Sequence, residues 1–419
     1  MRIGILAEGF MEWGGGVDFL RMICDCLRLV MAEDPPKLVL LAPRTPTGVA
    51  LQSALMPWYR WTVASLRERK LKPLREVLGE QRSLSSAYQL ARVADAIGDH
   101  VSVHFFRGDE ALDATARAEK LDCLLPSFRA LSTSVRTPWI GYLYDFQHRL
   151  LPHLFSPEER MARDERFQAM ANNARHVIVN SRSVREDCLR FLGVGGAHFV
   201  ALPFGAAPVP DWLGDQPSLI AKYALPKRYF LVSNQFWTHK NHRVVFEALH
   251  ALLQEPEGAD ATVVCTGSTV DARDRDYFPS LQQYLRANQL TEKVRILDYI
   301  AKRDQIEIMK HAVAVVQPTL FEGGPGGGAV YDAISLDVPA LVSEIPVNRE
   351  LEGQGFDIQF FDPGNAQALA GLMLERLRQP AGQRKNAATL LEKGRQRRLA
   401  VGAILVQTLE AAGATRAIS

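Results

Sequence analysis

The chain has 419 residues, of which 47% are hydrophobic and 23% are charged, and its formal net charge at pH 7 is +2. This length suits two domains of ordinary size, each with its own core. The near-neutral charge excludes a strongly cationic nucleic-acid-binding protein, and the absence of any apolar run of about 18 residues excludes a predicted membrane span.

The first half of the sequence alternates short apolar runs with longer helical patterns, as at Asp18–Met31 and Glu158–Asn173. The apolar runs are continuous, which is typical of strands buried on both faces of a parallel sheet. Strand–helix–strand alternation predicts a doubly wound α/β domain. The predicted strands here are Ile3–Leu6, Leu38–Leu41, Cys123–Leu125, Trp139–Tyr142, Val177–Val179 and Phe199–Leu202.

A stretch rich in proline and glycine, at about residues 203–226, interrupts this alternation and predicts a linker. The alternation then resumes, so we predict a first domain over residues 1–206 and a second, also α/β, over 207–390. A helix within 391–419 follows, and its packing partner is left open, the first domain being one candidate. The predicted strands of the second domain are Tyr229–Val232, Thr262–Cys265, Val294–Leu297, Ala314–Gln317 and Ala340–Val342.

Localisation is predicted from the first residues and from the cysteines. The apolar run Ile3–Ala7 is too short for a signal peptide, and the acidic Glu8 follows it directly. The cysteines are few, scattered and odd in number, as expected of reduced thiols. We therefore expect a cytoplasmic protein. The cysteines are Cys24, Cys26, Cys123, Cys188 and Cys265.

Residues 57–81 depart from the α/β pattern because tryptophans and leucines alternate with basic residues. Such a basic amphipathic helix is typical of contact with an anionic membrane surface. A solvated helix packed on its own domain has the same pattern, so both interpretations stay open. The membrane interpretation implies a peripheral location at the inner face of the cell membrane.

Three glycine-containing or polar segments follow predicted strands, where open α/β sheets bind ligands. Gly14, Gly15 and Gly16 come after the first strand and before a helix, so their amides suit a phosphate or a sugar edge. A plain tight loop explains the same glycines. In the second domain, the segment Ser233–His242 contains Lys240, which suits a diphosphate, although a solvated lysine is an equal alternative.

The third segment, Pro318–Ala333, places Glu322 at a strand end, then a glycine-rich loop, then a helix carrying Asp332. Loop glycines expose backbone amides that bind anions and hydroxyls. Carboxylates suit the adjacent hydroxyls of a sugar because each accepts several hydrogen bonds. Because these glycines cost conformational entropy on folding, we favour a binding role. The loop glycines are Gly323, Gly324, Gly326, Gly327 and Gly328.

Together these segments resemble the retaining glycosyltransferases of family four, whose GT-B fold consists of two Rossmann-like doubly wound parallel-sheet domains that face a central cleft. The resemblance covers most of residues 1–20 and 137–375, whereas 45–130 matches little. Its strongest part is Pro318–Glu350. It extends through Asp145–His148, Val179–Ser181, Leu202–Gly205, Asn234–His242, Gly267, Leu297–Ile300 and Val338–Ser343.

The resemblance implies roles for the acidic pair and the basic residues. Glu322 matches the family carboxylate that takes the hydroxyls of the transferred sugar, and Asp332 matches the one that takes the ribose hydroxyls. The spacing here is Glu-x9-Asp instead of the family's Glu-x7-Glu. Lys240 matches the phosphate-binding lysine, whereas Asn234 or Gln235 stands where the family has an arginine. Arg273 and Arg303 are candidates to supply that charge.

Four further residues take roles from the resemblance. Asp145 and His148 lie where the family approaches the reacting sugar, although the family's histidine directly before the aspartate is Tyr144 here. A buried structural histidine is an equal interpretation of His148. Tyr299 and Ile300 fall where the family's loop approaches the nucleotide base.

The activity that the resemblance implies is hexosyl transfer from a nucleoside-diphosphate sugar, with retention of anomeric configuration, to a saccharide or lipid-linked acceptor. Surface polysaccharide synthesis is the setting by family analogy. No metal or other cofactor is expected, and we interpret Asp274-Arg275-Asp276 as solvated surface instead of a metal motif.

Two alternative functions stay open from the sequence. A nucleotide-sugar epimerase has the same fold and needs no acceptor. A non-catalytic sugar-binding protein accommodates the altered acidic spacing and the missing arginine.

Overall fold

A computed structural model of the protein describes most of the chain. The basic segment 57–81, with its two interpretations, lies outside the described residues. The residues that the structure describes are 1–11, 14–44, 94, 98, 101–193, 195–203, 205–214, 216, 221–271, 273–379 and 385–414.

The first domain is a seven-stranded parallel sheet with strand order β3-β2-β1-β4-β5-β6-β7. Its strands are β1 (Arg2–Leu6), β2 (Lys37–Pro43), β3 (Ser102–Phe106), β4 (Cys123–Ser127), β5 (Trp139–Leu143), β6 (His176–Val179) and β7 (His198–Ala201). Its described helices are α1 (Gly14–Val30), α2 (Gly108–Ala118), α3 (Gln147–Leu150), α4 (Pro157–Asn173) and α5 (Arg182–Leu192).

The second domain is a six-stranded parallel sheet with strand order β10-β9-β8-β11-β12-β13. Its strands are β8 (Phe230–Ser233), β9 (Val263–Thr266), β10 (Val294–Ile296), β11 (Ala314–Gln317), β12 (Ala340–Ser343) and β13 (Ile358–Phe361). Its described helices are α6 (His242–Leu252), α7 (Tyr277–Ala287), α8 (Lys302–His311), α9 (Gly327–Leu336) and α10 (Ala366–Arg378).

The predicted doubly wound α/β architecture is confirmed, and every predicted strand is present with its ends within two residues. Sequence reasoning missed β3 and β13. Both are edge strands with partly exposed residues, and their sequences SVHFF and IQFF lack the continuous aliphatic run of a central strand. Lower burial therefore removed the signal on which the prediction depended.

The last helix, α11 (Ala387–Ala411), connects the two domains. Near its start Gly394 packs closely on Ala207 and Pro208 of the linker. Farther along, Leu405 and Leu409 are fully buried in the core that also contains β1 and α1. The helix therefore completes the hydrophobic core of the first domain.

All five cysteines are buried and unpaired. Among the described residues, the structure contains no helix with the length and apolarity needed to cross a bilayer.

Candidate active site

The carboxyl edges of the two sheets meet where β5 and β11 end. A Cβ atom added to Gly323, after β11, would lie 2.7 Å from the carbonyl oxygen of Tyr144, after β5. The hydroxyl of Ser181 donates a hydrogen bond to the Gly323 carbonyl over 3.0 Å. Gly323 is therefore the point at which the glycine-rich loop contacts the first domain, and a side chain there has no space.

A carboxylate from the second domain also caps a helix of the first. The backbone amides of Arg182 and Ser183, at the start of α5, donate to Glu350 over 3.1 and 2.8 Å. A negative charge at a helix N-terminus satisfies free amides and is favoured by the helix dipole. These contacts hold the carboxyl edges of the two sheets next to each other.

Glu322 and Lys240 form an ion pair at this edge of the second sheet. The ammonium of Lys240 donates to Oε1 of Glu322, and Nε2 of Gln317 donates to the same oxygen over 2.9 Å. The two charged side chains are 12% and 13% exposed, so water screens the pair only weakly. Because Lys240 and Gln317 hold the Glu322 carboxylate in place, it is suited to accept hydrogen bonds from sugar hydroxyls.

Asn234 and Gln235, at the position of the family arginine, both have structural hydrogen bonds. Nδ2 of Asn234 donates to Oε1 of Gln317 over 2.6 Å and so orients the amide that donates to Glu322. Oε1 of Gln235 accepts from the backbone amide of Ser268 over 2.8 Å. Sequence reasoning missed Gln317, although a polar residue at the end of the apolar strand β11 was a detectable signal.

The histidines on either side of Lys240 are neutral. Burial, with the nearby Lys240 charge, lowers the pKa of His239 to about 2 and that of His242 to about 3. Lys240 therefore carries the positive charge of this segment at neutral pH.

The glycine-rich loop turns directly into α9. Gly326 and Gly327 have φ angles of +73° and +63°, a region that side chains rarely adopt. The amide of Gly326 donates to Oδ1 of Asn348 over 2.7 Å, which anchors the turn. Gly324 lies against Tyr331, whereas Gly328 has open space around it. The first turn of α9 therefore lies beside Glu322, and the N-terminal turn of a helix suits an anion.

Asp332 lies on α9 and is paired with a lysine that sequence reasoning missed. Lys302, at the start of α8, donates to Oδ2 of Asp332 and lies 5.5 Å from the ring centre of Trp212. Burial raises the pKa of Asp332, the Lys302 charge opposes this rise, and Asp18 of α1 adds to it. Asp18 is thus near Asp332, which places the first turn of α1, Gly14–Gly16, on the same side of the site. No motif spacing marks Lys302.

Asp145 lies beside the central ion pair. Its Oδ1 accepts from the amide of Gln147 over 3.0 Å. Burial raises its pKa and the Glu322 charge adds to the rise, whereas Arg163 and Lys240 lower it. The structure thus brings Asp145 together with Glu322 and Lys240.

His148 is buried inside the first domain. Its Nε2 lies 2.9 Å from Oδ1 of Asp164, and its ring packs on Phe146, Phe155 and Phe167. Burial lowers its pKa. These contacts are those of a core histidine and do not include Glu322 or Lys240.

The predicted base-binding loop follows β10. Tyr299 is 76% exposed, and Ile300 is partly buried against the core of the second domain. Asp298 has a φ of +54°, its carbonyl accepts from the amide of Gly267 over 2.9 Å, and its side chain accepts from the amide of Tyr299. An exposed aromatic ring on a constrained loop is available for stacking on a planar ligand.

The acidic segment Asp274–Asp276 begins a helix. Oδ1 of Asp274 accepts from the amides of Asp276 and Tyr277, both over 3.1 Å, and Oδ2 accepts from Thr238. These contacts hold the first turn of α7 on the loop that carries Lys240. In the described part of the chain, no three His, Cys, Asp or Glu residues are grouped to hold a metal.

Residues 215–397 match the family model described as Glycosyl transferases group 1. A curated relative, the O-antigen chain mannosyltransferase RfbU of Salmonella typhimurium, is 29% identical over 133 residues. That match covers 31% of this chain and 33% of the relative, so only about a third of either protein is compared.

Solved structures resemble the chain over almost its full length. HepE of Anabaena, in complex with UDP and glucose, has a TM-score of 0.58 and 15% identity over 98% of this chain and 100% of its own. Sucrose-phosphate synthase of Thermosynechococcus elongatus has a TM-score of 0.57 and 14% identity over 98% of both chains. At this identity the likeness shows the fold, and it confirms the predicted GT-B architecture.

Proposed function

We propose, from the glycosyl transferases group 1 domain at residues 215–397 and the GT-B fold that contains it, that this protein is a retaining hexosyltransferase. Its donor is a nucleoside-diphosphate sugar, and its acceptor is a saccharide or a lipid-linked saccharide of surface polysaccharide synthesis. The likeness to an O-antigen chain mannosyltransferase supports this setting.

The observation that carries the proposal is the Lys240–Glu322 pair at the start of the glycine-rich turn, in contact with the first domain through Gly323. Glu322 accepts hydrogen bonds from hydroxyls of the transferred sugar. Lys240 then exchanges part of its contact with Glu322 for the donor diphosphate. A carboxylate and an ammonium on one small surface match the two ends of a sugar diphosphate.

The difficulty of the reaction is the charge that develops as the diphosphate leaves. Lys240 and the free amides at the starts of α9 and α1 stabilise that charge, since preorganised donors in a site shielded from water act strongly. In front-face substitution, the bond from the anomeric carbon to the phosphate oxygen breaks. The acceptor oxygen bonds to the same face, and its proton passes to the leaving phosphate oxygen.

Asp332 takes the ribose hydroxyls in this proposal. Because Lys302 is paired with that carboxylate, nucleotide binding shifts the ammonium toward Trp212 or solvent. A lysine stem is long enough for that movement.

The proposal is tested with Glu322→Gln in the full-length protein. A thermal-shift screen of nucleotide sugars first identifies the donor, since a ligand that binds the native state raises its stability. We expect Glu322→Gln to lower sugar transfer at least about tenfold, because the charged hydrogen-bond acceptor is lost, without loss of the folded state.

The matched control is Glu255→Gln, which removes one negative charge at an exposed position of the same domain. Transfer is measured as nucleoside diphosphate release, and the anomeric configuration of the product is determined by NMR. Near-normal turnover by Glu322→Gln contradicts the assigned role, and an inverted product contradicts retention.

A further inference from the structure

A cavity of about 390 Å³ lies between α11 and the second domain, and its volume is within the range of small-molecule pockets. We call it the α11 cavity. One wall is a single face of α11, because its residues recur every three or four positions. The other wall consists of the end of α9 and the segments that precede β12 and β13. The α11 wall includes Leu390, Lys393, Arg397 and Ala400.

The α11 cavity lies at the opposite edge of the second sheet from Glu322. Val338 and Asp357 come just before β12 and β13, so they mark the amino edge of the parallel sheet. Glu322 follows β11 and lies at the carboxyl edge. Helix α9 connects the two places, because it begins at the glycine-rich turn and ends where Ile334 and Asp337 line the cavity. The cavity is therefore separate from the proposed transfer site.

Two positive charges of the cavity are available to a ligand. Both carboxylates in the described part of the wall already have a basic partner. These pairs are Asp337 with Lys385 and Asp357 with Arg376. In contrast, Lys393 and Arg397 have no carboxylate partner among the residues that the structure describes. They are four positions apart on α11, where like charges repel each other, so a bound anion relieves this repulsion.

Arg397 is half-buried, and its N–H groups are only partly used. Its Nη1 donates to the carbonyl of Ala206 over 2.8 Å, which is its single hydrogen bond to the described protein. Its guanidinium lies 5.2 Å from the ring centre of Phe356, and both residues line the cavity, so the guanidinium is within reach of a ligand there. The fork of an arginine matches the oxygens of a phosphate or a carboxylate.

The charge on Arg397 is poorly compensated by the protein itself. Burial lowers the pKa of this guanidinium, and the Asp337 charge opposes that change. Because Asp337 already accepts from Lys385, its charge is shared between two basic residues. An anionic ligand in the cavity supplies the missing negative charge.

The remaining wall of the cavity is largely apolar. Ile334, Val338 and Leu390 are buried, and the partly buried Phe356 packs on the same apolar cluster as the first two. Such side chains favour a ligand with an apolar body, and a flat ring can pack against Phe356. Gln354 and Gln396 are exposed at the rim, so a ligand can enter from solvent. The cavity thus matches an anionic group attached to an apolar body.

A short path connects the cavity to the contacts between the domains. Gln354 donates to the carbonyl of Glu350, whose carboxylate accepts from the first amides of α5 in the other domain. The α11 wall belongs to the helix that completes the core of the first domain. A ligand in the cavity therefore contacts segments that lead to both a polar and a hydrophobic connection between the domains.

We propose that the α11 cavity is an effector site for a small organic anion, with a phosphate or carboxylate group on an apolar body, that stabilises the contact between the two domains. The cavity is formed in an arrangement in which Glu350 contacts α5. A ligand that fits this arrangement best shifts the population toward it. The site takes no part in sugar transfer and does not depend on the proposed function.

Binding is tested by calorimetric titration of 2-naphthyl phosphate and 2-naphthoate into the full-length protein, and the two probes distinguish a phosphate from a carboxylate. We expect one of these anions to bind at least about tenfold more tightly than inorganic phosphate or 2-naphthol, which carry only the charge or only the apolar body. Lys240→Ala should retain this binding, because Lys240 lies at the other edge of the sheet. Absence of binding by both anions overturns the inference.

Charge variants test the role of the two cations. Arg397→Gln and Lys393→Gln should each weaken binding of the tighter probe about tenfold, because a charged hydrogen bond is lost. The matched control is Arg395→Gln, since Arg395 is exposed on the same helix and lies outside the described wall. Equal weakening in this control would mean that only net charge matters and would overturn the inference.

A filling variant tests the place of binding without a change in charge. Ala400→Phe introduces a ring into the cavity, so we expect it to abolish probe binding. Ala403→Phe, at an exposed position of the same helix, is its control and should bind the probe normally. Thermal unfolding verifies that both variants are folded. Normal binding by Ala400→Phe would place the probe elsewhere and overturn the inference.

The effect on the domains is measured by hydrogen exchange of the amides of Arg182 and Ser183, which donate to Glu350. We expect the bound probe to slow this exchange at least about threefold in the wild-type protein and not in Ala400→Phe, because opening of the contact becomes rarer. Probe binding without slower exchange overturns the effector role. The measurement needs no nucleotide sugar, so failure of every nucleotide sugar to bind would end the proposed function and leave this inference standing.

Discussion

Two carboxylates of the site, Glu322 and Asp332, are each paired with a lysine and are only 13% and 10% exposed. A buried carboxylate without a counterion is costly, so each lysine stabilises the charge until a ligand arrives. The lysines differ in exposure, because Lys240 is 12% exposed and Lys302 is 45% exposed. We expect Lys302 to be the more easily displaced of the two, since its side chain is more exposed to solvent.

The raised pKa of Asp332 predicts how this residue affects stability. Burial makes the folded protein hold this proton to a higher pH than the unfolded chain does. The native state therefore loses stability as pH rises from the unfolded pKa, near 4, through the raised folded pKa. Asp332→Asn removes this loss, so we expect the Tm of the variant minus that of wild type to increase between about pH 4 and pH 7.

Thermal unfolding followed by circular dichroism at several pH values measures this difference. The exposed Asp276, changed to Asn, is the control and should show a smaller pH dependence. A Tm difference for Asp332→Asn that does not change with pH would contradict the prediction. Nucleotide binding by Asp332→Asn should weaken at the same time, because the proposed ribose acceptor is lost.

At the scale of elements, the glycine-rich turn links β11 to α9 and holds Glu322 in position. A Cβ atom added to Gly327 would lie 3.0 Å from the Glu322 carboxylate, and this residue has a left-handed φ of +63°. Nothing lies within 4 Å of a Cβ atom added to the neighbouring Gly328. Two adjacent glycines of one turn thus have different structural requirements.

We expect Gly327→Ala to destabilise the protein by about 1–2 kcal/mol through backbone strain and to weaken donor binding by displacing Glu322. Gly328→Ala should leave donor binding unchanged and alter stability by less than about 1 kcal/mol, in the stabilising direction. Chemical denaturation and thermal shift with the nucleotide sugar measure both effects. Equal behaviour of the two variants would show that the turn does not position Glu322.

At the scale of the whole molecule, α11 joins the domains because it starts against the linker and ends in the core of the first domain. Ser181, Glu350 and Gly323 provide polar contacts between the carboxyl edges of the two sheets. The two domains are therefore joined by a hydrophobic connection and by polar contacts. Polar contacts exchange with water more easily than a buried helix, so we expect opening to break the polar contacts first.

The contribution of α11 is measured with Leu405→Ala. Leu405 is fully buried, so we expect this change to lower the free energy of unfolding by about 2–5 kcal/mol, the usual effect of a core cavity. Leu391 lies on the same helix and is 38% exposed, so Leu391→Ala is the matched control with a much smaller effect. Urea denaturation measures both, and equal small losses would show that α11 is not part of the core.

Sequence patterns were sufficient to predict the features that depend on residues adjacent along the chain. Continuous aliphatic runs such as Ala340–Val342 predicted central strands, and glycines beside Glu322 predicted a ligand-binding turn, because strand burial and left-handed backbone are local properties. The fold class was therefore predicted, and two weakly buried edge strands were missed.

Which side chains contact one another is known from the three-dimensional fold alone. Gln317, the last residue of β11, and Glu322, which follows that strand, were in principle detectable as a pair. Lys302 with Asp332 and the packing of α11 on α1 join segments that are distant along the chain. The same is true of Arg166 on α4, whose neighbours Phe128 and Tyr144 come from two strand ends. Such pairings depend on the order of the strands in each sheet and on how the two domains pack. The sequence does not give the spatial distance between segments that are far apart along the chain.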